Sequence, residues 1–364
     1  MKTQLFKSLL IALLIPVFAF SYDGGWKGRY TKEKKIKKEY TVSPNATLKI
    51  NNSYGHVNVT SWNENRIVIE VHVKTNGNNE EKVQRKLEEI DVNFEASNNL
   101  VSARTIFNKD KGSSWWKWTK NNNVNMQINY TVKMPVTNDA NLNNDYGSIS
   151  LDKIEGVATI SCDYGKITLG ELMADGNYLN FDYTSKSTIA YMKSGKINAD
   201  YSGFTLDKAE SVVINADYTQ SAVENVKKVE YNCDYGSLKV KEVNDFKGTG
   251  DYLTTRLGTV HGDVSIRSDY GSVKIEKMDS DAGNIDIRSD YTGIRIGYAP
   301  DYHFDFELTL EYAGVSGDDD DFEYIRKVSK SSDKFYSGYY GKQNSGNKVI
   351  INSEYGGIKF EKQF

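Results

Sequence analysis

An acidic residue followed by tyrosine occurs fifteen times in these 364 residues, where composition alone would give about three such pairs. Eleven of the pairs form a series, with tyrosines at Tyr146, Tyr164, Tyr183, Tyr201, Tyr218, Tyr235, Tyr252, Tyr270, Tyr291, Tyr312 and Tyr355. The steps are 17 to 21 residues, except for a last one of 43. The acids, from Asp145 to Asp290 and then Glu311 and Glu354, would stand in a column. Neighbouring carboxylates about 4.8 Å apart repel by roughly 1 kcal/mol per pair in water. Such a column needs compensation, expected from backbone N–H groups at the turns and from Lys166, Arg267 and Arg288 nearby, with a divalent cation as the sharper alternative.

Two other groups of residues offer chemistry. Trp115, Trp116 and Trp118 place three of the five tryptophans in four residues, between Ser114 and Asn121. Exposed indoles in a polar loop contact sugars or proteins, so a glycan or an envelope protein is the partner these would meet. Against that stands a loop that folds its indoles back onto the body of the protein. Asp318, Asp319, Asp320 and Asp321 have the donors for calcium but read first as a solvated insertion. The four histidines, His56, His72, His261 and His303, have no metal-ligand spacing. No nucleophile elbow, phosphate loop or dinucleotide fingerprint occurs at a strand-to-helix junction. The expectation is therefore no catalytic residue, no cofactor and no structural metal.

The elements that position these residues follow from the repeat. Around each tyrosine, apolar and polar residues alternate, as in Ile160, Cys162 and then Ile167, Leu169. A third apolar residue, such as Ile154, Leu172, Val226 or Val243, often follows. Alternation on both sides of a glycine-containing bend predicts two half-buried strands. A unit of about 18 residues cannot bury its apolar face alone, so copies must stack. The expected fold is all-β, a single-stranded parallel β-helix (β-solenoid) of about 18-residue coils, roughly 50 Å long. Tyrosine shares the parity of the inward residues and is read as a stacked interior or corner ladder, its acid pointing outward. Cys162 and Cys233 fall in the same slot four coils apart, about 19 Å, too far for a disulfide. Both are expected to be buried free thiols.

Residues 1–21 read as a signal peptide, with Lys2 and Lys7, an apolar stretch from Ser8 to Phe20 and a small-residue site at Ala19 to Ser21. The run is too short for a stable membrane span. Residues 22–40, with Lys27, Arg29, Lys32, Lys34, Lys35, Lys37 and Lys38, read as a basic flexible arm. Residues 41–135 form a β-rich capping region with one helix over Asn79 to Ile90, where Val83, Leu87 and Ile90 share a face. Residues 136–364 are the β-solenoid, which Lys348 to Phe360 would close as a C-terminal cap. A net charge of −3 gives no footprint for nucleic acid.

The order of these features resembles the secreted "putative adhesin" family of unknown function found in Bacteroidetes. The resemblance rests on the signal peptide, Leu48 to Val59 with Gly55, Trp62, the short helix, the strand ending at Met134 and Pro135, and the serial repeats over Tyr40 to Phe364. It implies a β-helical protein exported by the general secretory route to the periplasm, cell surface or medium. The expected function is a non-enzymatic, adhesin-like binding or scaffold protein of the cell envelope. The alternative is a polysaccharide-processing β-helix enzyme, which would need a cleft with carboxylates made unequal by their surroundings. The oligomeric state is not encoded in these features.

Overall fold

The computed structural model describes residues 26–107, 123–318 and 320–364. The described residues form 27 strands and one helix, an all-β fold. The predicted signal peptide, residues 1–21, lies outside them.

Two ladders of strands run the length of the repeat region, one built from the residues before each tyrosine and one from the residues after it. In the first, Ala158–Asp163 pairs in parallel with Asp139–Asp145 and with Asn177–Asp182, setting Cys162 between Asn144 and Phe181. In the second, Lys166–Leu172 lies between Ser148–Ile154 and Ser187–Asn198, and Leu169 meets Leu151 and Ile189. Alternation explains the burial: Ala158, Ile160 and Cys162 are buried, whereas Thr159, Ser161 and Asp163 are not. The third apolar residues, Ile154, Leu172, Val226 and Val243, are buried where the strand turns its face. Where the repeat is 17 residues, the second strand of one repeat runs unbroken into the first strand of the next, as in Gly203–Asn215 and Gln220–Asn232. Longer repeats place their extra residues in a loop at this corner, as at 279–284.

At both ends parallel pairing gives way to antiparallel pairing. The hairpin of Ile90–Ala96 and Leu100–Phe107 lies under the first repeat strand, Thr47–Ser53. On the second ladder, Val57–Trp62 is followed outward by Val124–Pro135, Arg66–Gly77 and Tyr30–Thr41. The helix Glu80–Glu89 packs on the last two of these strands, with Val83 and Leu87 inward. Asn79 caps it by accepting from the Lys82 N–H at 3.0 Å, and its register matches the sequence reading.

Two expectations are corrected here. Residues 30–41 of the basic segment are a strand, paired along its length from Tyr30 with Gly77 to Thr41 with Arg66. The cause is alternation within the charge run: Ile36 and Tyr40 pack on the core from the same face as Lys32, Lys34 and Lys38, whose alkyl stems cover apolar surface. Ion pairs from Lys32 to Glu80 (2.7 Å) and Lys37 to Glu70 (2.6 Å) offset the like charges. The second correction concerns the C-terminal end. Lys348–Glu354 inserts between Ile285–Asp290 and Phe304–Glu311, so the last repeat in sequence is the penultimate level of the stack. The end is instead closed by the hairpin Phe322–Lys330 and Asp333–Tyr340 over Phe304–Glu311. Beneath it Tyr298, Phe304, Phe322, Tyr340 and Phe360 make an aromatic plug of edge and tilted contacts.

Candidate functional site

Between the two strands of each repeat the chain must reverse in very few residues, and it does so at the tyrosine. Twelve tyrosines, the eleven of the series and Tyr54, have φ between 49° and 63°, in the left-handed region. That conformation costs an L-residue with a Cβ roughly 1–2 kcal/mol and is normally given to glycine or asparagine. The turn keeps its ladder bond: the N–H of Tyr146 donates to the Asp163 carbonyl at 2.9 Å, and Tyr218 to Asp234 at 3.0 Å. The reversal also swings the side chain out of the body. The eleven series tyrosines are 46–59% exposed, so the ladder is a solvent-facing corner row and the interior alternative is overturned.

The rings form one unbroken column from Tyr54 through Tyr146 to Tyr291, then Tyr355 and Tyr312. Successive centroids are 4.6–5.2 Å apart and successive planes within 11° of parallel. The column is about 50 Å long at the strand spacing of a β-sheet. Stacking of this kind contributes roughly 0.5–1.5 kcal/mol per pair. It also covers the ring faces, leaving the edges and phenol hydroxyls to solvent. Burial first, then the neighbouring phenols, raise the pKa of Tyr183 and Tyr218 above the ordinary phenol value.

Beside the tyrosines runs the acid column. Its compensation comes from backbone N–H groups, donated by the next repeat: Asp182 Oδ1 accepts from the Asp200 N–H at 3.1 Å, Asp217 Oδ1 from Asp234 at 2.8 Å, and Asp269 Oδ1 from Asp290 at 3.0 Å. Arg288 sits 3.8 Å from Asp286 and not on the column. At the C-terminal end Asp290, Glu354 and Glu311 are in register, and their like charges, Asp290 first, raise the pKa of Glu354. These three carboxylates line an open cleft under the closing hairpin, with Arg288, Lys330 and Phe335 on its other parts. They belong to one row of one ladder, so they line a single wall of it.

Trp115, Trp116 and Trp118 lie outside the described residues, as does Asp319. The Asp318 carboxylate accepts from the Lys362 N–H at 2.9 Å, and Asp321 pairs with the Lys362 ammonium. A calcium ion there would compete with Lys362. Cys162 and Cys233 are free and buried, as read from the repeat, and burial lifts their thiols to about 12 and about 11. Spacing in sequence missed one cluster. His261 Nδ1 lies 3.0 Å from Asp281 and 3.7 Å from Asp279, and its Nε2 lies 3.5 Å from Glu242. The hydrogen bond to Asp281 is the main cause of a raised His261 pKa. The usable signal was the 21-residue step, whose extra residues form the corner loop carrying both aspartates.

Among solved structures, the chain is similar to a putative cell adhesion protein from Clostridium sporogenes, at 10% identity over 91% of this chain and 100% of that one, with a TM-score of 0.18. It is similar to a putative adhesin from Parabacteroides merdae at 12% identity over 72% and 96%, with a TM-score of 0.32. A putative adhesin from Bacteroides fragilis matches at 12% over 90% and 97%, with a TM-score of 0.28. No family profile matches the chain, and no curated protein matches it.

Proposed function

We propose that this chain is an exported, non-enzymatic, adhesin-like binding or scaffold protein of the cell envelope, with its repeats wound as a β-solenoid and the tyrosine column as its adhesive face. One observation carries the reading. A left-handed turn position favours glycine or asparagine, yet all twelve are tyrosine, in line, and the eleven of the series are about half-exposed. Backbone comfort does not select that residue, and core packing does not use it. A long exposed aromatic row is the kind of surface that marks an interaction site. Phenol edges and hydroxyls beside carboxylates favour an extended partner that hydrogen-bonds along its length, such as a glycan strand or an envelope protein. Among the described residues no helix is long and apolar enough to cross a membrane.

The test is binding of the purified protein to a panel of glycans and envelope fractions, beside two variants. One carries Asn at Tyr183, Tyr201, Tyr218 and Tyr235; the other carries Ala at Trp115, Trp116 and Trp118. At least a tenfold loss in the tyrosine variant, with its melting transition kept, supports the column as the adhesive face. Wild-type binding by the tyrosine variant removes it, and loss in the tryptophan variant alone transfers the role to those three indoles. The polysaccharide-processing alternative rests on the cleft at Asp290, Glu311 and Glu354. Release of new reducing ends from a glycan, abolished by Glu354→Gln, would favour it.

A further inference from the structure

The two ends of the strand ladders carry opposite charges, ladder by ladder, and we infer that copies of this chain associate head to tail through them. Each ladder ends at both ends in a strand paired on one side among the described residues. At the N-terminal end the first ladder finishes in Ile90–Ala96, which carries Asp91 and Glu95 and no basic residue. The second finishes in Tyr30–Thr41, which carries five lysines against Glu33 and Glu39, with Lys32 and Lys37 paired inside the chain to Glu80 and Glu70. At the C-terminal end the signs are exchanged. The first ladder finishes in Phe322–Lys330, with Arg326, Lys327 and Lys330 against Glu323. The second finishes in Val315–Gly317, which leads into Asp318, Asp320 and Asp321, three carboxylates against the one ammonium of Lys362.

Translating one copy along the ladders onto the next sets acidic strand against basic strand on the first ladder and basic strand against acidic segment on the second. Strand sense is consistent with continued pairing. Phe322–Lys330 is two antiparallel steps from Phe304–Glu311 and so runs with the repeats, while Ile90–Ala96 runs against them. The first ladder would therefore continue antiparallel. Tyr30–Thr41 and Val315–Gly317 both run with the repeats, and the second ladder would continue parallel. Charged edge strands ordinarily prevent such joining. Here the charges oppose contact between like strands and leave the head-to-tail pairing attractive. A heterologous contact of this kind does not close, so it yields linear assemblies in place of a fixed dimer. The inference concerns the partner of the ends and stands whether or not the tyrosine column binds a ligand.

The experiment is sedimentation velocity with negative-stain imaging of the purified chain over about a hundredfold range of concentration, at low salt and at high salt, where screening shortens the reach of charge to a few ångströms. Rods that lengthen with concentration without a plateau, and shorten in salt, are expected. Two variants read the polarity: Glu95→Lys with Lys35→Glu reverses one end, and Arg326→Glu with Lys330→Glu and Asp320→Lys reverses the other. Each alone should lose at least tenfold in association, and an equimolar mixture should regain it as an alternating assembly. A wild type that stays monomeric throughout, one that stops at a dimer, or folded variants whose mixture fails to assemble would each overturn the inference. Should the variants not fold, the concentration and salt behaviour of the wild type decides.

Discussion

Each turn carries two rows side by side, one inside and one outside, and they follow different rules. The inner row, two residues before each tyrosine, holds seven residue types in twelve turns, from Gly250 and Ala199 to Phe181. Its size is often balanced by the residue after the tyrosine. Cys162 and Cys233 are followed by Gly165 and Gly236, where a Cβ would meet their sulfurs at 3.0 and 2.4 Å. Ala199 and Ala216 are followed by Ser202 and Thr219, and Gly250 by Leu253. The outer row is tyrosine every time. The interior accepts any local solution that fills the volume, so constancy outside, at a strained backbone position, is the part of the turn that core packing does not explain.

That contrast fails first if the inner row proves tolerant. A Cβ on Gly165 would sit 1.9 Å from the Gly147 carbonyl oxygen, a backbone atom of the neighbouring repeat. Gly165→Ala should destabilise by about 3 kcal/mol or more, because two ladder strands must part to admit it. Gly203 has nothing nearer than the Gln220 oxygen at 3.9 Å, so Gly203→Ala should be neutral or stabilising by up to about 1 kcal/mol. Urea midpoints for the pair check this, and equal effects would show the repeats to be loosely stacked.

The outer row predicts a split between two substitutions at one site. Tyr218 has φ 51° and stacks on Tyr201 at 4.8 Å and Tyr235 at 5.0 Å. Tyr218→Val loses the stacking and places a β-branched residue in the left-handed region, together about 2 kcal/mol or more. Tyr218→Asn loses the stacking but relieves the backbone, and should stay within about 1 kcal/mol of wild type. If asparagine is as damaging as valine, the tyrosines serve the fold and not a partner. A smaller effect, about 1 kcal/mol, is expected for Cys162→Ala in the inner row, from the lost contacts of one buried atom. The native thiols should resist a thiol reagent until unfolding, since burial holds Cys162 near 12 and Cys233 near 11.

Most of the inner row was legible in the sequence, and the outer row was misplaced for a definite reason. Counting alternate residues inward from Ile160 gives Cys162 and then Tyr164, which holds only while every residue is extended. At φ 54° Tyr164 breaks the parity and turns outward. The helix after Asn79 and the two free thiols depend on local pattern and register, and both were readable. Tyr30–Thr41 was hidden because its lysines mask an alternation that matters only once Arg66–Gly77 lies beside it. The insertion of Lys348–Glu354 between earlier repeats depends on a crossover after Tyr312, which no residue pattern announces. His261 meets Asp279 and Asp281 across a repeat boundary, a proximity that exists only after stacking.

The smallest expected effect tests the acid column where its character changes. From Asp163 to Asp290, six of the aspartates accept a backbone N–H from the next repeat. Glu354 instead faces Asp290 and Glu311 as like charges, and its pKa is raised. A carboxyl whose folded pKa lies above its unfolded one contributes stability that is fully present below the unfolded pKa and lost as pH rises through the folded value. Glu354→Gln should therefore raise the melting midpoint slightly at pH 7, and the gain should vanish below the ordinary glutamate range. Asp217→Asn should do the reverse at pH 7, because it weakens the acceptor for the Asp234 N–H. A fall in both variants would mean that Glu354 also holds the ladder together. A rise in both would mean that repulsion governs the whole column and that the backbone bonds do not offset it.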